Sequence, residues 1–217
     1  MSCPSLGRGT LVVLKHGSAR RRNLSQLTKS TLGSGNLLEA VRPPKNVDLS
    51  EWMATNIVDF YNEISVLYDL CSEDSERFQK SGEGFPPLFE YRWADPNAGK
   101  KNSRPIRVSS PIYVNNVLNW IQDTVNDEYM FPVGDDDDFP EEFQTIAEKV
   151  FTRIFRIYAI IYHSHFEYVE SHGAAQHLNT SLKHFVIFVH YHGLVQPKEF
   201  EALKEPVQHT ITSPNLE

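Results

Sequence analysis

Cysteine is nearly absent from this sequence. Cys3 and Cys71 are the only two in 217 residues, too few for a disulfide framework or a cysteine-rich zinc centre. A reducing compartment is the matching expectation. Long apolar runs are missing too. None approaches the ~18–20 residues of a membrane span. Leu11-Val12-Val13-Leu14 is too short for the apolar region of a secretory leader, so none is expected. The phosphate-cradling G-x-x-x-x-G-K-[ST] loop, the G-x-S-x-G elbow and the H-E-x-x-H pair are also absent. Nothing assembles a nucleophile with its base, so the expectation is a protein that is not an enzyme.

What is present describes a globular chain. Apolar residues make up 40%, aromatics 12% and charged residues 23%. The length suits one domain of the usual ~100–200 residues with a tail. The net charge of −7 conceals an asymmetry. Residues 1–30 carry Arg8, Lys15, Arg20, Arg21, Arg22 and Lys29 and no acid, a charge of +6 that leaves −13 on the remainder. Such a basic arm is expected to be disordered, either simply solvated or in contact with anions. The acidic body argues against nucleic acid as the main ligand, because phosphate binding needs clustered cations.

Local patterns outline the fold. Thr31-Leu32-Gly33-Ser34-Gly35-Asn36 reads as a turn, and a short helix over 37–41 stops at Pro43-Pro44. Asp48 suits a helix N-cap. Leu49, Met53, Ile57, Phe60, Ile64 and Leu67 recur every three or four residues, predicting a helix over 49–71. Residues 72–87 read as a loop. Alternation over 88–93, a turn at 95–99 and a return over 105–108 predict a β-hairpin. Further helices are expected over 111–127, 140–171, 174–192 and 197–207. Pro111 suits a first helical turn and Gly193 a helix stop. Residues 210–217 are expected to fray. The fold class is all-α with one small hairpin.

Two clusters invite a metal and fail on spacing. Asp135–Asp138 lack the alternation and closing glutamate of a calcium loop. His163 and His165, like His190 and His192, are two residues apart, which turns them to different sides of a helix instead of chelating as an i,i+4 pair does.

Two surfaces remain. On a wheel of ~100° per residue, Asp48, Glu51, Asp59 and Glu63 fall on one arc of the 49–71 helix, beside its apolar face. Trp52 lies at the border. A tryptophan ringed by acids suits a basic helical partner; alternatively, Trp52 caps the core with a solvated acidic face beside it. On the 140–171 helix, Lys149, Arg153 and Arg156 form a cationic stripe. They can converge on a phosphate dianion or serve ordinary salt bridges.

The blocks TLGSGNL (31–37), EWMATNIVDFYNEISVLY (51–68), FEYRW (89–93), RIFRIYAIIYHSHF (153–166) and HLNTSLKHF (177–185) resemble the Mob/phocein family of kinase activators, in the branch that activates NDR/LATS-type kinases. The resemblance spans roughly residues 31–205. It implies an all-α domain over 31–209 with a four-helix-bundle core and a small hairpin. It also implies a non-catalytic adaptor and allosteric coactivator that binds the basic N-terminal segment of an NDR/LATS-type AGC kinase. The kinase-facing surface would comprise Asp48, Glu51, Trp52 and Asp59, with Glu63 beside them. Arg153 and Arg156 match two of three family residues that bind phosphothreonine peptides of upstream Hippo-type kinases; the third, a lysine, is Thr152 here, and Lys149 stands nearby. Thr31 matches a regulatory phosphorylation site. A scaffold for phosphopeptides in cell-cycle signalling, without kinase activation, is the alternative. Neither nucleic acid nor membrane insertion is expected. The setting would be the cytoplasm, with spindle pole, centrosome or basal body as further stations.

The family usually holds a structural zinc through two cysteines and two histidines. By alignment those positions are Ser75, Lys80, Ile160 and His165. One ligand of four cannot hold zinc, so neither metal nor cofactor is expected. Burial of Ile160 and neighbouring aromatics would have to replace that tie.

Overall fold

Asp48 caps a long helix as its side chain predicts, accepting the Ser50 and Glu51 amides at 2.8 and 3.3 Å, a bond type worth about 1 kcal/mol. In the computed structural model, which describes residues 11–33, 35–94, 104–134 and 137–213, the elements run as follows. Helix α1 spans Ala19–Gly33, α2 Leu37–Ala40 and α3 Leu49–Leu70; a single turn, α4, follows at Ser72–Ser75. Helix α5 spans Ser110–Asn126 and α6 Phe143–Ile160. A π-turn at Ile161–His165 joins α6 to α7, Phe166–Ser171. Helix α8 spans Ala175–Tyr191, and a 3-10 stretch at Glu199–Leu203 leads into α9, Lys204–Thr212. None of these helices is long and apolar enough to cross a membrane.

The architecture is all-α. Helices α3, α5, α6 and α8 enclose the core. Phe60 of α3 sits at its centre, against Phe151 of α6 and Phe185, Phe188 and His184 of α8. Each fully buried side chain of this size contributes about 1.5–3 kcal/mol. Helix α8 ends where Gly193 takes φ +65°. That left-handed residue lets the Leu194 amide donate back to the Val189 carbonyl at 2.9 Å.

Three expectations are corrected. First, the basic arm is ordered from Leu14 onward: Leu14 is buried, and α1 packs on α3. Residues 1–10 lie outside the described residues. Second, among the described residues the hairpin shows one antiparallel bridge, between Trp93 and Ile106; the turn expected at 95–99 lies outside the described residues. Extension from that bridge toward Tyr91 is prevented because the Val108 carbonyl instead accepts the Gly82 amide at 2.8 Å. Third, the last helix continues to Thr212; residues 214–217 are not among those described.

Candidate functional site

The acidic arc of α3 is occupied by the chain's own basic segment. Glu51 is only 7% exposed. Its Oε2 accepts Nε of Arg21 at 3.1 Å and Nη2 at 2.9 Å. The same Nη2 donates to the Pro132 carbonyl at 2.7 Å, and the guanidinium lies 5.3 Å from the centre of the Phe139 ring. Two turns along α3, Asp59 Oδ1 takes three contacts: Nε2 of His16 at 3.1 Å, Oγ of Ser25 at 2.8 Å and Nζ of Lys29 at 3.6 Å. Burial alone would push the Asp59 carboxyl up, but His16, Ser25 and Lys29 hold it below the ordinary carboxylate value. About one turn beyond Asp59, Asn62 clips the entering chain through Leu14, accepting its amide at 2.8 Å and donating to its carbonyl at 3.0 Å.

The remaining members of the arc differ. Asp48 is exposed at the start of α3, with its carboxylate engaged in the cap. Glu63 is half-buried, and burial pushes its carboxyl up, with Ser181 and His177 easing this only in part. Trp52 does not stand out as an indole on the surface. It is 1% exposed, and its Nε1 donates to the Val41 carbonyl at 3.2 Å. Trp52 therefore caps the core and is removed from the surface part of the site.

Sequence reasoning missed His16, Arg21, Ser25, Lys29 and Asn62. A signal existed. Arg21, Ser25, Thr28 and Lys29 recur at helical spacing in the segment that is +6, and that segment needs acids from elsewhere in the chain.

The cationic stripe on α6 is arranged differently from a simple phosphate clamp. Arg153 lies between two indoles, 4.8 Å from the Trp93 ring and 4.3 Å from the Trp120 ring, and donates to the Ala94 carbonyl at 3.4 Å. Arg156 grips Glu199 with both prongs, at 2.9 and 2.8 Å, and donates to the Tyr113 hydroxyl at 3.3 Å. Burial disfavours its charge, yet Glu199 and Tyr113 raise its already high pKa. Lys149 is exposed and Thr152 half-buried. The stripe exists, but Arg156 is already bound to a carboxylate. Thr31, in the last turn of α1, bonds the Leu27 carbonyl at 3.0 Å. It faces a cleft of about 710 Å³ walled also by Arg42 and Pro43.

The Mob1/phocein family pattern matches residues 29–203, from the end of α1 through the core helices. This chain belongs to the Mob1/phocein family. Its curated relatives match nearly end to end. MOB kinase activator-like 1A of Arabidopsis thaliana is 42% identical over 187 residues, 84% of each chain. MOB kinase activator-like 1 homolog A of Dictyostelium discoideum is 41% identical over 201 residues, 93% of this chain and 92% of the relative. Maintenance of ploidy protein mob1 of Schizosaccharomyces pombe is 39% identical over 188 residues, 87% of this chain and 88% of the relative.

The zinc implied by the Mob/phocein resemblance does not fit the residues of this member. His165 is buried at the end of the π-turn, but its Nδ1 is 2.7 Å from Asp74 Oδ2. The rings of Tyr68 and Phe78 stand edge-on around it. Ile160 is fully buried. Cys71 is buried as well, and burial with the nearby Asp74 charge pushes its thiol up to about 12, where it is a poor metal ligand. Among the described residues no three histidine, cysteine or acidic side chains converge. The place of a metal tie is taken by Asp74–His165, with Arg77 bonding both Asp74 and the Ser164 carbonyl.

Proposed function

We propose that this chain is a non-catalytic adaptor and allosteric coactivator of an NDR/LATS-type AGC protein kinase. The kinase's basic N-terminal segment would dock on the face formed by Asp48, Glu51, Asp59 and Glu63. One observation carries this reading: the face already holds a basic helical segment, with Arg21 on Glu51 and His16 and Lys29 on Asp59. Two relatives bear the words kinase activator in their names. A kinase segment with cations at helical spacing competes for the same carboxylates. Ordering it shifts the kinase toward its active arrangement through differential binding. Helix α1 is then a competitor held in place by the chain itself. Trp52 supports the face from beneath.

A second contact, for a phosphothreonine peptide of an upstream Hippo-type kinase or scaffold, falls on Lys149, Arg153 and Arg156. A phosphate there must draw Arg156 away from Glu199, which makes this contact the weaker one. Thr31 is the regulatory phosphorylation site of this reading. A dianion in the last turn of α1 opposes the helix dipole and loosens the cover. The work is placed in the cytoplasm, with spindle pole, centrosome or basal body as further stations.

The test is a calorimetric titration of the full chain with the kinase's basic segment. Glu51→Lys combined with Asp59→Lys should abolish binding while the core helices keep their circular dichroism. Binding by the native chain should weaken steeply with added salt. Unchanged affinity in the double variant overturns the reading.

A further inference from the structure

One leucine stands where local chemistry disfavours it. In Phe85-Pro86-Pro87-Leu88-Phe89 the Phe89 amide donates to the Pro86 carbonyl at 3.0 Å, closing a turn with Pro87 second and Leu88 third. Leu88 has φ +68°, as at the third position of a type II turn, which suits glycine or asparagine and not a leucine. Its side chain is also fully exposed, at 104%. Beyond the turn the chain alternates: Tyr91 is buried, while Glu90 and Arg92 face water as Leu88 does. The two Glu90 oxygens accept Nε of Arg92 at 3.3 Å and Nε of Arg107 at 2.6 Å, and both arginine side chains are more than half exposed. One carboxylate against two guanidiniums makes this knob cationic on an acidic body. A strained, solvated leucine held beside fixed charges is the form of a contact made for another surface.

The matching socket is on the same chain. A cleft of about 340 Å³ opens between the entering segment and the end of α5, walled by Val12, Val13, Val125, Phe131 and Val133. Val13 is 65% and Val133 46% exposed, so its walls are apolar and wet. The wall is held in place where Asn62 bonds both the amide and the carbonyl of Leu14. Glu128 lines the cleft together with Lys15. Asp127 beside it is exposed, and Asp137 accepts the Gly134 amide at 3.1 Å next to Val133. The socket is acidic where the knob is cationic.

We propose that Leu88 of one copy of this chain seats between Val13 and Val133 of a second copy, with Arg92 and Arg107 set against Asp127 and Glu128 there. Seating takes the leucine and the valines out of water together. The opposed charges fix the orientation. Knob and socket are different patches, so the contact is heterologous: a copy that has given its knob still offers its socket, and the assembly closes into a ring or extends. The charge of −7 on each copy opposes crowding, which keeps the contact weak and dependent on concentration. Neither a kinase nor the acidic arc of α3 takes part.

The experiment is sedimentation equilibrium of the full chain over a wide range of concentrations. The average mass should rise above the 24.9 kDa of one copy as concentration increases. Leu88→Asp removes the knob and Val133→Asp spoils the socket. Both alter exposed side chains, and each variant alone should stay at the mass of one copy with native circular dichroism. Mixed, they should form pairs and nothing larger, because Leu88 of one enters the intact socket of the other while the remaining knob and socket are both defective. Glu128→Arg, also at an exposed residue, should weaken association of the otherwise native chain roughly tenfold or more. The proposal is overturned if the native chain keeps the mass of one copy throughout, if Leu88→Asp associates as the native chain does, or if the mixture stays unpaired. Association indifferent to Glu128→Arg overturns it equally. A native chain that stays single but sediments with phosphatidylserine vesicles through Leu88 assigns the knob to a lipid surface and overturns it as well. No readout uses a kinase segment, so the adaptor reading stands or falls separately.

Discussion

Arg21 and Glu51 form an ion pair almost out of contact with water: the two side chains are 4% and 10% exposed. They are thirty positions apart in sequence, one in α1 and one in the first turn of α3. Such a pair is bound to geometry more than to stability. Its mutual attraction is offset by the loss of water around both charges, so its main effect is to demand a partner for whichever charge remains.

Arg21→Ala leaves Glu51 buried and unpaired. Removing one member of a buried pair costs about 3–5 kcal/mol, and α1 can escape that cost by lifting. Hydrogen exchange should therefore show loss of protection in α1, with α3, α6 and α8 protected as before. Uniform loss across all helices would contradict a locally held cover.

His184 gives the core a pH dependence. Burial pushes its pKa down to about 4, with Asp59 pulling weakly the other way. A native state that holds this ring neutral has its full stability above the unfolded value near 6.5. It loses roughly 3 kcal/mol as pH falls from there to about 4. His165 and His192, both lowered by burial, act with the same sign. Urea midpoints should fall over this window, and His184→Leu should flatten the fall in part. An unaltered slope in that variant would count against the assignment.

Asp74 and His165 share a bond at 2.7 Å, with the rings of Tyr68 and Phe78 around the imidazole. Asp74→Ala strands a buried imidazole nitrogen at a cost of about 1–3 kcal/mol, which should lower the thermal midpoint by about 2–12 °C in a chain of this size. Treatment with a chelator should leave the native midpoint where it was. A drop on chelation would show that a metal is held after all.

Thr152→Lys restores a third cation beside Arg153 and Arg156. One added charge-assisted bond of roughly 1.5 kcal/mol should tighten a phosphothreonine peptide about tenfold. Fluorescence polarisation with phosphorylated and unphosphorylated peptides separates this from a general charge effect. Equal gains for both peptides would rule out a phosphate clamp on α6.

Legibility in the sequence followed the range of the interaction concerned. Helix α3 was predicted over 49–71 and spans Leu49–Leu70, because helix periodicity and capping involve residues within four positions of one another. The same holds for α5 and α8. The predicted hairpin pairing is present at Trp93 and Ile106, but its extension toward Tyr91 depended on which distant amide claimed the Val108 carbonyl, and Gly82 claimed it. Trp52 was misplaced because it sits at the edge of an apolar face, where a wheel gives an angle but not the neighbour that covers it. The Val41 turn does so.

Local pattern and motif alone sufficed for α3, α5, α8 and the family, but not for α1, whose fold depends on the acids of α3. The fate of those carboxylates was settled only when the chain closed on itself. Coulomb attraction has range but little direction, so 21 basic and 28 acidic residues admit many pairings. Packing of α1 on α3 selects Arg21 for Glu51, and His16, Ser25 and Lys29 for Asp59.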